Sequence, residues 1–136
     1  VEMVRTGINK RKLAQFGEEV KCLIADAAVA AMAREHKITR SMAAMRTFGH
    51  AMDGAVVAIG NAPTALYEVL RLAAEEGVRP AAIIGIPVGF VGAADSKVQL
   101  AANRDIPYIT VAGTKGGSPI AAAAVNAIMY LLDNSR

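Results

Sequence analysis

The chain has 136 residues, a mass of 14.1 kDa and a formal net charge of +3, with 54% hydrophobic and 20% charged residues. This composition excludes a disordered tail, a collagen-like fibre and a disulfide scaffold, and the length fits a single domain. The longest apolar stretch, residues 80–94, is interrupted by prolines and glycines and is shorter than the roughly 20 residues that a membrane helix needs. The basic residues are dispersed and aromatic residues make up only 4%, so we expect no nucleic-acid partner.

Four short apolar segments are predicted to form the strands of a mainly parallel sheet. From Val20 onward, runs rich in β-branched residues alternate with alanine-rich segments of helical character. This alternation is typical of parallel strands joined by crossover helices. The predicted strands cover residues 19–25, 54–60, 80–87 and 106–112. The sequence therefore indicates one α/β layer domain.

Residues 28–52 predict helix, but the chain around Thr39 leaves two interpretations open. If Thr39 caps a helix that starts there, Arg40 lies in the first turn. The helix dipole disfavours a cation there by about a few tenths of a kcal/mol, unless an anion binds nearby. Alternatively, one helix continues from residue 28 through Arg40, whose charge is then solvated. An apolar stripe of helical period in this stretch consists of Ile38, Met42, Met45 and Met52.

The other predicted helices have clearer signals. The second helix follows Asn61, a good capping residue, has Pro63 in its first turn and ends at Gly77. The third covers residues 93–103. The fourth covers residues 118–132, where apolar positions are so dense that burial against the sheet or a partner subunit is expected.

The cysteine and the histidines form no recognisable motif. Cys22 is the single cysteine, so no intrachain disulfide can form, and its apolar neighbours favour a small buried side chain over a reactive thiol. His36 and His50 have no partner at a metal-ligand spacing, which predicts no metal site. No secretory signal pattern stands at the start, so a cytoplasmic location is expected.

The turns after the last three predicted strands are candidate ligand-binding loops. They cover residues 60–64, 87–97 and 113–119 and are rich in small residues, amides, hydroxyls and lysines. In open parallel sheets, ligands bind beyond the carboxyl ends of the strands, where helix N-termini present free N–H groups. Glycine lets the backbone approach a ligand and lysine suits carboxylates or phosphates, so an anionic ligand is predicted. Alternatively, each turn is only a tight connection between a strand and a helix.

Four blocks of the sequence resemble the precorrin-8X methylmutase family. They cover residues 38–41, 57–66, 87–97 and 115–118, in the family's order, and the similarity extends from Val1 to about Leu132. The resemblance implies an isomerase of cobalamin biosynthesis that shifts a methyl group from C-11 to C-12 of precorrin-8X. The product would be hydrogenobyrinic acid, or cobyrinic acid from the cobalt-containing substrate. The resemblance also implies a tetrapyrrole substrate, a homodimer and no cofactor.

The resemblance further implies a flavodoxin-like three-layer α/β/α fold with a mainly parallel sheet, in one domain over residues 1–136. Chains of the family are longer at the N-terminus, and the histidine that donates their proton lies in that stretch, so neither His36 nor His50 takes its role. This chain alone is therefore expected to lack the N-terminal part of the domain, with one strand and the catalytic acid. We expect it together with that part, or in a tight homo-oligomer that buries the helix at residues 118–132.

Arg40 and a set of polar or small residues are the site residues that the resemblance implies. Arg40 is the candidate catalytic residue, in contact with the macrocycle. The candidate substrate-binding residues are Asn9, Thr39, Ser41, Asn61, Thr64, Gly89, Gly92, Ser96, Lys97, Lys115, Gly116, Gly117 and Ser118. The alternative function is a non-catalytic tetrapyrrole-binding or anion-binding module. The sequence leaves open whether the substrate is metal-free or carries cobalt.

Overall fold

The computed structural model describes residues 1–134 and contains, over that range, seven α-helices and one sheet. Two short helices, α1 (Glu2–Gly7) and α2 (Lys10–Gln15), come first, and the sequence pattern does not predict them. The other helices are α3 (Ala27–His36), α4 (Arg40–Phe48), α5 (Pro63–Glu76), α6 (Ala93–Ala102) and α7 (Ser118–Asn134), with a 3-10 helix at Gly49–Met52. The strands are β1 (Val56–Ile59), β2 (Ala82–Gly85) and β3 (Tyr108–Thr110).

The three strands pair in the order β1-β2-β3, and both pairs are parallel. Val57 lies opposite Ile83, and Ile83 lies opposite Tyr108. The predicted α/β class with a parallel sheet is confirmed, and so are the last three predicted strands, each shorter than predicted. Because the strands run in one direction, all three end at the same edge of the sheet, called here the carboxyl edge.

Side chains of the sheet alternate between two apolar layers. On one face, Ile83 belongs to a cluster with Leu66 of α5 and Leu100 of α6. On the other face, Ile84 belongs to a cluster with residues of α1 and with Ala121 of α7. Helices therefore cover both faces, which confirms the predicted three-layer arrangement. Across residues 1–134, no helix combines the length and the apolar character needed to cross a bilayer.

The segment at residues 19–25 does not form the strand predicted there. It lines a cleft of about 790 Å³ together with all four residues of β1, so open space lies between the two backbones. Among the described residues, the outer edge of β1 has no strand partner. A sequence rich in apolar residues becomes a strand only where a neighbouring backbone completes the hydrogen bonds, and none of the described strands pairs with this segment.

The helix predicted over residues 28–52 is divided into α3, α4 and the 3-10 helix. Lys37 is the C-cap residue of α3 and adopts the left-handed backbone conformation, with φ of 56°. Thr39 then caps α4, since its Oγ1 accepts a hydrogen bond from the N–H of Met42 at 3.1 Å. The capping interpretation of Thr39 is confirmed, and the continuous helix through Arg40 is wrong.

The remaining helices lie close to their predicted positions. α5 starts with Pro63 and ends at Gly77, which adopts φ of 70°. Its N-cap is Ala62 and not Asn61, because Pro63 occupies the first helical position. α6 and α7 start where the sequence predicts.

Glu68 is a buried carboxylate that joins α4 to α5. Its side chain is 1% exposed, and Oε1 accepts hydrogen bonds from Nε of Arg46 at 2.9 Å and from Nε of Arg71 at 3.0 Å. Burial raises the pKa of Glu68, but the hydrogen bonds from Arg71 and Arg46 outweigh burial and leave the pKa below its ordinary value. The pair with Arg46 holds α4 against α5 and so helps to place Thr39 beside the start of α5.

We predict that Glu68→Gln lowers the free energy of unfolding at pH 7 by about 2 kcal/mol, because charge-assisted hydrogen bonds are lost. Since the pKa of Glu68 is lowered in the folded state, its ionised form stabilises the fold at neutral pH. This contribution is lost as the pH falls below the ordinary pKa of a glutamate and through the lowered pKa of Glu68 in the folded state. The difference between wild type and Glu68→Gln should therefore shrink in acid.

Urea unfolding of the purified protein between pH 3 and pH 7 measures both effects. The matched control is Glu75→Gln, because Glu75 also pairs with Arg71 but is 62% exposed. The control should change the free energy of unfolding by less than about 0.5 kcal/mol. A difference between wild type and Glu68→Gln that stays constant down to pH 3 would contradict the assignment.

Candidate functional site

Four segments of the chain, called the edge segments, meet at the carboxyl edge of the sheet: residues 37–41, 60–64, 87–97 and 113–118. Three of them lie there because they follow the ends of β1, β2 and β3. The first joins them because the Thr39 hydroxyl donates a hydrogen bond to Oγ1 of Thr64 at 3.1 Å. The helices α4, α5, α6 and α7 therefore all start at this edge.

Backbone hydrogen bonds tie the turn after β2 to the turn after β3. The N–H of Gly89 donates to the carbonyl of Thr114 at 3.1 Å, and the N–H of Gly117 donates to the carbonyl of Ile86 at 3.0 Å. A Cβ on Gly116 would lie 2.6 Å from the Ile86 carbonyl oxygen, a distance that real side chains do not reach. Gly116 and Gly117 are thus needed for the close approach of the two turns.

Lys97 holds the loop at residues 113–118 in place through hydrogen bonds to its backbone. The residue is 2% exposed, and its Nζ donates hydrogen bonds to the carbonyls of Gly113 at 2.9 Å and of Lys115 at 2.5 Å. Burial lowers the pKa of the Lys97 ammonium group. Within residues 1–134 this group has no carboxylate partner. The ammonium group of Lys97 thus contacts the backbone of the loop.

Ser96 and Ser118 are also buried. The Ser96 hydroxyl donates to the carbonyl of Ala93 at 2.8 Å inside α6. Ser118 starts α7, and its Cα lies 2.7 Å from where a Cβ on Gly60 would stand, so only glycine fits at the end of β1. Ser96 and Ser118 are therefore buried packing residues at the carboxyl edge.

Within the edge segments, the exposed polar residues of the predicted set are Thr39, Arg40, Asn61 and Lys115. Ser41 and Thr64 are half-buried. Arg40 forms no ion pair with any of the residues that the structure describes. A cation in the first turn of a helix, without a counter-ion, is electrostatically unfavourable unless an anion binds. Arg40 is therefore available to an acidic ligand.

The starts of α5 and α6 leave backbone N–H groups available. Their N-caps are Ala62 and Gly92, which have no side-chain acceptor. Asp95 is the acidic residue of the edge segments and lies in the first turn of α6, where a carboxylate complements the helix dipole. Cations, free N–H groups and hydroxyls together suit a ligand that carries several carboxylates.

Asn9 is not part of the edge segments. Its side chain caps α2 by accepting from the N–H of Lys12 at 3.0 Å. Its own N–H donates to the side-chain oxygen of Asn126 at 2.9 Å, two turns along α7 from the edge. The structure thus gives Asn9 a local role in joining α2 to α7.

Thr110 is a residue at the carboxyl edge that the sequence analysis does not single out. It ends β3, and its Oγ1 is buried without a hydrogen-bond partner among residues 1–134. An unpaired buried hydroxyl costs about 1–3 kcal/mol, so it marks a position where a ligand or water would be favourable. Threonine is common in strands, and the sequence therefore carries no signal for this role.

The histidines lie away from the edge segments. His50 precedes β1, at the opposite end of the sheet, and its Nδ1 lies 2.8 Å from Oδ2 of Asp53. His36 ends α3. Cys22 is a free, half-buried residue that lines the cleft beside β1, so it is less buried than predicted. Over residues 1–134, no group of three His, Cys, Asp or Glu side chains is placed to hold a metal ion.

Known proteins are similar to this chain over most of its length. A family model described as precorrin-8X methylmutase matches residues 1–131. The chain belongs to the precorrin-8X methylmutase family. The cobalt-precorrin-8 methylmutase of Priestia megaterium is 46% identical over 134 residues, which are 98% of this chain and 59% of that protein. The precorrin-8X methylmutase of Sinorhizobium sp is 46% identical over 128 residues, or 93% of this chain and 60% of that protein.

Solved structures of the family have the same fold. A protein described as precorrin-8X methylmutase related superposes with a TM-score of 0.88 at 42% identity, covering 96% of this chain and 68% of that one. The precorrin-8X methylmutase of Thermus thermophilus also gives a TM-score of 0.88, at 36% identity, and covers 99% of this chain and 65% of that one. The chain thus spans about 60% of the length of the curated relatives it matches.

We predict that Lys97→Met loosens the loop at residues 113–118. Two charge-assisted hydrogen bonds to the loop are lost, so the free energy of unfolding should fall by about 2 kcal/mol. The amide hydrogens of Gly89 and Gly117 bridge the two turns and should exchange with solvent about 10-fold faster. The control is Lys115→Met, which keeps the Lys115 carbonyl and changes only an exposed side chain. Equal exchange rates in wild type and Lys97→Met, measured by NMR, would contradict the assigned role.

Proposed function

We propose that the chain forms the corrin-binding part of an isomerase that shifts a methyl group from C-11 to C-12 of precorrin-8X or of its cobalt-containing equivalent. Membership of the precorrin-8X methylmutase family supports this proposal. The observation that carries it is the meeting of four segments with polar residues at one edge of the sheet, two of them containing several glycines, with Arg40 exposed and without a counter-ion among the described residues.

The substrate class fits the chemistry of the edge segments. A tetrapyrrole of this pathway carries acetate and propionate carboxylates around its ring. Arg40 would pair with one of them in a bidentate geometry, and the free N–H groups at the starts of α5 and α6 would donate hydrogen bonds to others. Several fixed contacts around the ring would hold the macrocycle in one orientation, and such positioning lowers the barrier of an intramolecular rearrangement.

The proposal extends to assembly and location. A homodimer is supported by α7, which exposes Ile120, Tyr130 and Leu132 at 43%, 51% and 53% and so presents apolar surface that a second copy would cover. We place the reaction in the cytoplasm, in line with a single cysteine that forms no disulfide. The relatives' names include both precorrin-8X and cobalt-precorrin-8, so the form of the substrate is left to experiment.

The alternative function is a tetrapyrrole-binding or anion-binding module without catalysis. Such a module would bind the same ligand at the edge segments but would not convert it to a product. Incubation of the complete gene product with precorrin-8X separates the two. Appearance of the hydrogenobyrinic acid spectrum supports the isomerase, and binding without a change of the bound spectrum supports the module.

We predict that Arg40→Ala weakens binding of hydrogenobyrinic acid by about 1.5–3 kcal/mol, or 10-fold to 150-fold, because a charge-assisted pair is lost. Arg40→Lys should retain only part of the affinity, since lysine cannot form the bidentate pair. The matched control is Arg104→Ala, an exposed arginine that follows α6 at the opposite edge, and it should bind like wild type. Absorbance titration measures all four affinities. Wild-type affinity in an Arg40→Ala protein of normal stability would show that Arg40 does not contact the ligand.

A further inference from the structure

The loop between β2 and α6 exposes an apolar tip. Phe90 and Val91 are 95% and 90% exposed to solvent. Every other large hydrophobic residue among residues 1–134 is less exposed. An exposed phenylalanine beside an exposed valine is unfavourable in water unless another surface covers them. The tip lies at the carboxyl edge, within the edge segment at residues 87–97.

The tip is held outward by its anchored ends. On one side the N–H of Val88 donates to the carbonyl of Asn61 at 3.3 Å, and Gly89 is bonded to the loop at residues 113–118. On the other side the Tyr67 hydroxyl lies 3.5 Å from the Gly92 carbonyl. Gly89 and Gly92 have φ of 129° and 83°, which residues with a Cβ rarely adopt. These contacts fix the loop at both ends, while Phe90 and Val91 project into solvent.

Exposed cationic residues belong to segments that lie next to the two ends of this loop. Lys115 belongs to the loop that receives the Gly89 hydrogen bond, and it is exposed. Arg40 follows Thr39, which is bonded to the first turn of α5, and Pro63 of that turn approaches Gly92. Asp95 is the one acidic side chain of the edge segments. An apolar tip with cations on the neighbouring segments matches a ligand with an apolar body and an acidic periphery.

We propose that Phe90 and Val91 pack against one face of the corrin macrocycle while the flanking cations contact its carboxylates. This inference rests on the proposed function and adds the residues that distinguish a macrocycle from a small polycarboxylate. A small polycarboxylate would meet the cations but leave the tip in water. The macrocycle carries an apolar, methyl-bearing face and therefore gains affinity from the tip.

The test compares Phe90→Ser and Val91→Ser with the control Val98→Ser in the full-length protein. Val98 is a 67% exposed valine on α6, so it controls for the loss of exposed apolar surface. We expect the affinity for hydrogenobyrinic acid to fall at least 10-fold for Phe90→Ser and several-fold for Val91→Ser, and to stay within twofold for Val98→Ser. Phe90→Leu should restore most of the affinity. Sedimentation velocity and the melting temperature should not change, because the side chains are exposed.

The possible outcomes are distinct. Wild-type affinity in Phe90→Ser would overturn the inference while leaving the proposed function intact. A change in the sedimentation coefficient of Phe90→Ser would also overturn it, because the tip would then cover a second copy of the chain. A wild-type protein that does not bind hydrogenobyrinic acid would overturn the proposed function itself.

Discussion

The common direction of β1, β2 and β3 determines where most of the candidate site residues lie. Parallel strands that end at one edge bring their following turns together, although residues 60–64 and residues 113–118 are far apart in the sequence. The direct bonds between turns, Gly89 to Thr114 and Gly117 to Ile86, form only because β2 and β3 are neighbours. An antiparallel pair would place successive turns at opposite edges, and the polar groups would not meet.

Lys97 adds an electrostatic consequence to this arrangement. Its ammonium group is held by two carbonyls instead of a carboxylate, so its charge is not neutralised within the described residues. Two unit charges about 8 Å apart interact by about 2 kcal/mol at an effective dielectric constant of about 20. The buried charge of Lys97, together with exposed Arg40 and Lys115, therefore makes the carboxyl edge favourable for an acidic ligand. Lys97 thus both orders the loop at residues 113–118 and contributes to the electrostatic potential at the carboxyl edge.

The sequence predicts most of this architecture because local signals and the global fold agree. Glycine and proline mark the turns, and the last three strands and α5 to α7 follow from them. The segment at residues 19–25 has the composition of a strand but lies across a cleft from β1, and pairing is not a local property. The helices α1 and α2 have six residues each, too few to show a periodic pattern.

The sequence predicts the candidate site about as well as it predicts the fold. Glycine-rich turns and an arginine after a capping threonine identify the edge segments. Lys97 and Lys115 show how burial distinguishes residues that the sequence pattern does not. The pattern places both in a polar segment after a strand, but Lys97 is buried in α6 and Lys115 is exposed in a loop. Likewise, Asn9 caps a helix that the pattern does not show, and Thr110 is notable only for an unpaired buried hydroxyl. Such distinctions depend on tertiary contacts that no spacing encodes.

The central claim is that a corrin binds at the edge segments. Amide chemical shifts of the 15N-labelled full-length protein, recorded during titration with hydrogenobyrinic acid, test it most directly. We expect the largest changes at Thr64, Gly89 and Gly117, with those of Asn9 and Asp53 unchanged. Changes confined to the cleft beside β1, or absent from the edge segments at saturating ligand, would contradict the claim.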